Sequence, residues 1–146
     1  MKHFFIIFSS ILLFNISCSN NDNNDNNDTS ICDKPAQVIS DNNFQDIITA
    51  NYMITNVVLN GDCLSVTISS SGCDGETWQM KLLSSNSIFE SFPIQREVKL
   101  ELDNQEECLA VIQKTISFDL IPFQVDEYHQ VILNIDGWDQ SIIYNY

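Results

Sequence analysis

Arg96-Glu97-Val98-Lys99-Leu100-Glu101-Leu102-Asp103 is the stretch that decides the fold. Val98, Leu100 and Leu102 alternate with Glu97, Lys99 and Glu101. A period of two puts the apolar set on one side of an extended chain and the charged set on the other, which is the pattern of a half-buried strand. Working outward, the same pattern recurs between turn residues. Tyr52–Leu59 and Cys63–Ser69 flank Asn60-Gly61-Asp62, a hairpin signal. Leu64, Val66 and Ile68 share one face of the second run. Glu76–Leu83 carries Trp78, Met80 and Leu82 in step. Ala110–Leu120 aligns Ile112, Ile116, Phe118 and Leu120, with Lys114 as an exception. Gln130–Ile135 and Gln140–Asn145 close the chain. Ala36–Ile39 is a further short candidate, and Phe44–Ile48 reads as a helical turn or an early strand. Short runs rich in β-branched and aromatic residues at regular spacing predict an all-β fold. The expectation is an antiparallel β-sandwich of about seven strands, immunoglobulin-like or a related Greek key. The immunoglobulin signature itself is not met. Cys63, Trp78 and Cys108 follow in a suggestive order, but the cysteines are too close, and Glu106 stands where a tyrosine corner needs Tyr.

The N-terminus has a different character. Lys2 and His3 precede the apolar run Phe4–Phe14, broken only by Ser9 and Ser10. A membrane-spanning helix needs about 20 apolar residues, so this run is the length of a signal-peptide core. Ser17-Cys18 follows, then Asn and Asp from Asn20 to Asp28. This junction resembles the cleavage and lipidation site of a bacterial lipoprotein, although Asn15 stands where that box usually carries Leu. The resemblance implies a leader over residues 1–17, an acylated Cys18 and attachment to the membrane through its acyl chains. One chain anchors only marginally, whereas the two or three that the resemblance implies hold firmly. Residues 18–31 then form a polar tether, with no apolar residue to bury from Ser19 to Thr29. Such a run after the cysteine resembles Bacteroidetes-type lipoproteins, where it accompanies display on the outer surface. The expected location is the bacterial outer membrane, with the periplasmic face as the alternative. The Asp-Asn triplets do not form a calcium loop, because counting from Asp22 puts Asn27 where Gly is needed and Asp33 where Glu is needed.

Residues 32–146 remain as one domain of about 115 residues, enough for a core of its own. The formal net charge of the chain is −14. Nucleic acid is excluded as a partner, since it requires a basic face. Neutral glycans, peptides and other envelope proteins stay open as extracellular partners.

Four cysteines accompany Cys18: Cys32, Cys63, Cys73 and Cys108. An even number in an exported chain points to two disulfides, with three possible pairings. If successive strands reverse direction, Cys63 opens a strand at one end of the domain, called here the top. Cys73 follows that strand at the bottom. A six-residue strand rises about 20 Å, whereas bridged Cα atoms lie about 6 Å apart. Cys63–Cys73 is therefore disfavoured. Strand Arg96–Asp103 also descends, so Cys108 lies at the bottom. The prediction is Cys73–Cys108 with Cys32–Cys63. Zinc is disfavoured because no close Cys-x₂₋₄-Cys pair exists.

The same count gathers Asp74, Glu76, Glu106, Glu107, Asp136 and Asp139 at the bottom, with Trp138 among them. Converging carboxylates suit calcium, and an aromatic beside carboxylates suits a sugar or peptide. The competing reading is a set of acidic turns with Trp138 folded onto the core, and no metal or cofactor is expected. At the top, Ser84–Gln95 and Ile121–His129 carry Ile88, Phe89, Phe92, Phe123 and Tyr128, read as apolar plugs or as a binding end.

No catalytic arrangement stands out. Once the leader is removed, His129 is the one histidine, and there is no nucleophile-elbow motif. With four glycines in the chain there is no Gly-rich phosphate loop. The expectation is a non-enzymatic, lipid-anchored binding module. The alternatives are an accessory subunit of an envelope assembly and a small protease inhibitor using Ser84–Gln95. Mass spectrometry of membrane-extracted protein is expected to find an acylated Cys18 as the first residue; an unmodified start at any other residue rules out the anchor.

Overall fold

The computed structural model describes residues 32–146. The leader, Cys18 and the tether lie outside the described residues. Nine strands are present among those described: β1 Lys34–Pro35, β2 Gln37–Ile39, β3 Met53–Asn60, β4 Cys63–Gly72, β5 Gln79–Ser85, β6 Ile94–Asp103, β7 Ala110–Asp119, β8 Gln130–Ile135 and β9 Ile142–Asn145. One short helix, α1 (Asp41–Gln45), settles the ambiguous segment around Phe44, and a 3-10 turn covers Ile121–Phe123. The fold is all-β, in two sheets ordered β1-β7-β4-β3 and β2-β5-β6-β8-β9.

Two expectations are corrected. The strand count rises from about seven to nine, because the segment around Ala36 splits into two short strands, one in each sheet. Buried Ala36 marks the switch, with its N–H donating to the Asp119 carbonyl at 2.9 Å. The sheets are also mixed rather than purely antiparallel, since β1 runs parallel to β7, β2 to β5 and β6 to β8. The last pairing has a topological cause. The intervening strand β7 lies in the other sheet, so two strands of the same direction become neighbours.

One hydrophobic cluster is shared by both sheets. Leu64, Val66 and Ile68 of β4 and Phe118 of β7 come from one; Met80 and Leu82 of β5, Val98, Leu100 and Leu102 of β6, and Val131, Leu133 and Ile135 of β8 come from the other. The alternation read in the sequence thus selects the buried side of each strand. The buried aliphatic side chains each contribute about 1.5–3 kcal/mol of transfer free energy. Lys114 departs from the pattern: in mid-strand, paired with Ile68, it reaches the β4–β5 loop, where its ammonium donates to the Gly75 carbonyl.

Polar groups tie the top closed. Tyr144 of β9 is fully buried and donates to Asp62 Oδ1, in the turn of the other sheet, at 2.6 Å. Burial and the Asp62 carboxylate both hold its hydroxyl protonated well above the ordinary tyrosine range. Arg96 is buried on the core side of β6, with Nε donating to the Phe123 carbonyl at 2.9 Å and Nη1 to the Ser85 carbonyl at 3.2 Å. Desolvation lowers its pKa. Its charge is met by carbonyl dipoles, which fasten the 3-10 turn to β5.

Both disulfides sit on β4. Cys32 bonds Cys63 at its first residue, and Cys73, just past its last, bonds Cys108. Reversal of successive strands accounts for this pairing, as the antiparallel ladders β3–β4, β4–β7 and β5–β6 illustrate. The Cys73–Cys108 bridge spans a sequence separation of 35. Replacing both cysteines by Ala is expected to lower unfolding free energy by about 3–4 kcal/mol in urea titration, the chain-entropy value for such a loop. An unchanged midpoint contradicts this.

Candidate functional site

Hydrogen-bond partners divide the acidic residues at the bottom into different environments. Glu106 belongs to the first. Its Oε2 accepts from the backbone N–H of Cys73 at 2.6 Å, Asp74 at 3.3 Å and Gly75 at 3.1 Å, and its Oε1 from Thr77 N at 3.4 Å and Thr77 Oγ1 at 2.8 Å. Successive N–H groups of the β4–β5 loop form an anion-binding hollow, and the chain's own carboxylate fills it. Two glycines permit this. A Cβ on Gly72 would lie 2.6 Å from Glu106 Oε2 and 2.9 Å from the Trp78 ring, and Gly75 has a φ of +74°. Asp74 accepts from Glu76 N at 2.9 Å.

Partial desolvation acts to raise the Glu106 pKa, but the hydrogen bonds from Thr77, Cys73 and Gly75 prevail and hold it at about 2. Glu106 is therefore an anion engaged by the β4–β5 loop of its own chain. Asp74 and Glu76 belong to the same turn, and Glu107 and Asp139 are exposed. Trp138 is half-buried against the core, with its indole N–H enclosed and without a partner, as is that of Trp78. No group of three or more His, Cys, Asp or Glu is placed to hold a metal among the described residues.

Asp136, one of the acidic residues gathered by the loop count, lies in a second environment. It lines an open groove of about 360 Å³ together with Phe44, Glu97, Val98, Lys99, Asn134 and Ile135. The groove exists because α1 folds against the second sheet. Ser40 caps the helix, Phe44 is buried, and Lys99 donates to the carbonyls of Phe44 at 3.1 Å and Ile47 at 3.5 Å. The Lys99 ammonium also stands 4.9 Å from the Phe44 ring centroid, a cation–π contact. Asp41, at the helix start, accepts from Ser85 Oγ at 2.5 Å, Ser87 N at 3.1 Å and Ser87 Oγ at 2.6 Å. Those bonds lower its pKa.

The polar lining is oriented. Asn134 donates to Gln95 Oε1 at 2.9 Å and accepts from Ser141 Oγ at 2.7 Å. Asp136 Oδ2 accepts from Thr49 Oγ1 at 2.7 Å. The Glu97 carboxylate is exposed and makes no hydrogen bond or ion pair among the described residues. The Lys99 charge is committed to α1, so the uncommitted charge of the groove is carboxylate. The alternation of β6 already displayed Glu97 and Lys99 outward, but nothing local marked α1 as the opposite wall.

The top divides as well. Phe123 is fully buried and Ile88 packs on the core, as plugs. Phe89 and Phe92 do not plug: Phe92 is 98% exposed. Their loop is internally bonded, through Phe89 N to the Gln95 carbonyl at 2.9 Å and Ser91 Oγ to the Pro93 carbonyl at 2.6 Å. His129 is exposed.

No protein-family profile and no curated protein matches the chain. Solved structures match its fold. A protein of unknown function, DUF1344, from Bacteroides vulgatus has a TM-score of 0.52 at 16% identity, over 77% of this chain and 57% of that one. A NigD-like immunity protein from Bacteroides caccae has a TM-score of 0.52 at 13% identity, over 75% of this chain and 58% of that one. The chain is thus similar in fold to part of each, and the matches span less than two thirds of their length.

The Glu106 carboxylate is expected to leave a mark on acid stability. Its folded pKa of about 2 lies below the ordinary 4.5, so its contribution is complete above about 4.5 and disappears as pH falls through about 2. Glu106→Gln is expected to lower Tm by several degrees at pH 7 and to flatten the fall of Tm between those pH values. Parallel wild-type and variant Tm profiles contradict the assignment.

Proposed function

We propose that the chain is a lipid-anchored protein of the bacterial cell envelope whose β domain is a non-catalytic binding module. The groove between α1 and the β6–β8 pair carries this reading. It sets a few oriented polar groups on the outward side of β6 and β8 beside the Phe44 ring, while Val98 and Ile135 turn their side chains into the core. Free Glu97, partly engaged Asp136 and fixed Asn134 favour a ligand that presents hydrogen-bond donors: sugar hydroxyls, or the ammonium or guanidinium of a basic peptide. The Cys18 junction supports the anchor and an outer-membrane location.

A second reading, an accessory subunit or inhibitor that docks on another protein, is favoured by one observation. Phe92 stands almost wholly exposed on an internally bonded loop, the form of an aromatic anchor for a protein partner. The immunity role in the name of the Bacteroides caccae protein belongs to that protein, and the likeness extends to fold.

NMR titration of the isotopically labelled chain with basic peptides and with oligosaccharides tests the groove. The expected result is perturbation of Glu97, Asn134 and Asp136 amides, with binding weakened about tenfold or more, about 1.4 kcal/mol, by Glu97→Gln combined with Asp136→Asn. Binding that perturbs the Phe92 loop instead and is lost in Phe92→Ser supports the second reading. Equal binding by wild type and both variants removes both sites.

A further inference from the structure

The two sheets have four edge strands, three of them short; β1 pairs only Phe118 and Asp119 of β7, and the remaining outer run of β7 carries the charged Lys114. β1 has two residues and includes Pro35, β2 has three and β9 has four. The fourth edge is β3, eight residues of sequence Met-Ile-Thr-Asn-Val-Val-Leu-Asn. It holds no Pro and no charged residue, the devices that normally keep an edge from pairing. In a chain of net charge −14 such an uncharged run is conspicuous. The outward face of the strand beside it, Ser65, Thr67, Ser69 and Ser71, is uncharged too.

The register says which backbone groups are free. Asn60 pairs with Cys63 across the two-residue turn, Val58 with Ser65 and Asn56 with Thr67. Hydrogen-bonded pairs alternate along an antiparallel ladder, so the N–H and C=O of Val57 and Leu59 point away from β4. They have no backbone partner among the described residues. The side chains of Val57 and Leu59 face the core but remain only half-buried at this margin. Val58 faces out and is 49% exposed. A bulge between Ile54 and Asn56 ends the regular edge, leaving Asn56–Asn60 as the usable stretch.

That stretch, Asn-Val-Val-Leu-Asn, is nearly self-complementary when reversed. From this, the geometry points to a second copy of the chain as the occupant of the β3 edge. The two strands pair antiparallel about a two-fold axis at Val58. Val58 then faces the partner's Val58, Val57 faces the partner's Leu59, and Asn56 faces the partner's Asn60. Val57 and Leu59 are the outward-bonding residues, so this register makes two reciprocal hydrogen-bonded pairs. It also completes the burial of Val57 and Leu59, sets amide against amide at Asn56 and Asn60, and brings no like charges together. The result is a sheet continuous through both copies, an isologous contact in which each strand supplies the same patch. A five-residue seam buries less than the roughly 1,600 Å² of a standard interface, so the dimer belongs to the weak, concentration-dependent class.

Val58 is a non-hydrogen-bonded pair in this register, with Cα atoms about 4.5 Å apart, within the range that a disulfide bridges. The test is Val58→Cys in the full chain, expressed in cells and run on non-reducing gels. A reducible homodimer is expected, in clear excess over that from Ile143→Cys, a comparably exposed position on the β9 edge. Equal dimer from both variants, or adducts of Val58→Cys with other proteins alone, overturns the proposal. Sedimentation velocity of the full chain in mild detergent tests it without added thiols. Wild type and Val58→Thr are expected to self-associate as concentration rises, and Val58→Lys, which opposes two ammonium groups at the axis, to remain monomeric. A wild type that stays monomeric throughout the micromolar range, or a Val58→Lys that associates equally, overturns it.

Discussion

β4 is a ten-residue strand with a cysteine bridge at each end, and much of the domain is arranged around that constraint. A strand of this length spans about 33 Å, so its two ends cannot be joined to each other. Each end must find another part of the chain. The start is bonded to Cys32, which carries the N-terminal segment to the first sheet; the end is bonded to Cys108, which leads into β7. β7 in turn lies against β4 along all ten residues of both strands. The bridges therefore reinforce a ladder that backbone hydrogen bonds already define. Their contribution falls largely on the unfolded chain, whose freedom they reduce.

The second theme is where the acidic charge resides. A net charge of −14 suggests a surface of available carboxylates, yet several of the most placed ones are committed inside the fold. Glu106 fills the β4–β5 loop, Asp41 holds the loop at Ser85 and Ser87, and Asp62 accepts from Tyr144 across the two sheets. Asp33 accepts from Ser117 through both its backbone N–H and its hydroxyl. These carboxylates serve as local acceptors for N–H and O–H groups that loops and strand ends leave unpaired. In the groove beside α1, by contrast, Glu97 is free and Lys99 is turned inward to the helix.

The strands were legible because alternation is a local property. Val98, Leu100 and Leu102, and likewise Leu64, Val66 and Ile68, are buried as a period of two requires. The reach of direction alone was greater than the reach of site reasoning. Reversal of successive strands selects one disulfide pairing, because it depends only on which end of a strand each cysteine occupies. The same counting placed Asp136 and Glu106 at one end but could not say what each carboxylate faces: Glu106 accepts from the β4–β5 loop, Asp136 from Thr49. A loop's end of the domain is set by parity, but the direction of its side chains is set by hydrogen bonds. Gly72 and Gly75 were the available signal for the Glu106 contact, since paired glycines in a polar loop allow backbone N–H groups to converge. The exposed Phe92 and the buried Phe123 looked alike in the sequence, as two aromatic residues beside prolines.

The order of residues alone carried an all-β domain of alternating strands, and it carried the cysteine spacing from which the pairing follows. It also carried a net charge of −14, unsuited to a nucleic-acid partner, and the leader-like junction at Cys18. Each of these rests on residues close in the chain or on counting. Long-range packing decided the order of the strands, including the parallel neighbours β6 and β8, and which carboxylates are spent internally. It also decided that β3 is left as a long edge without charge or proline. The reason is the same in each case. These features depend on which distant segments pack together, and that is settled by burial of both sheets in one core rather than by any local pattern.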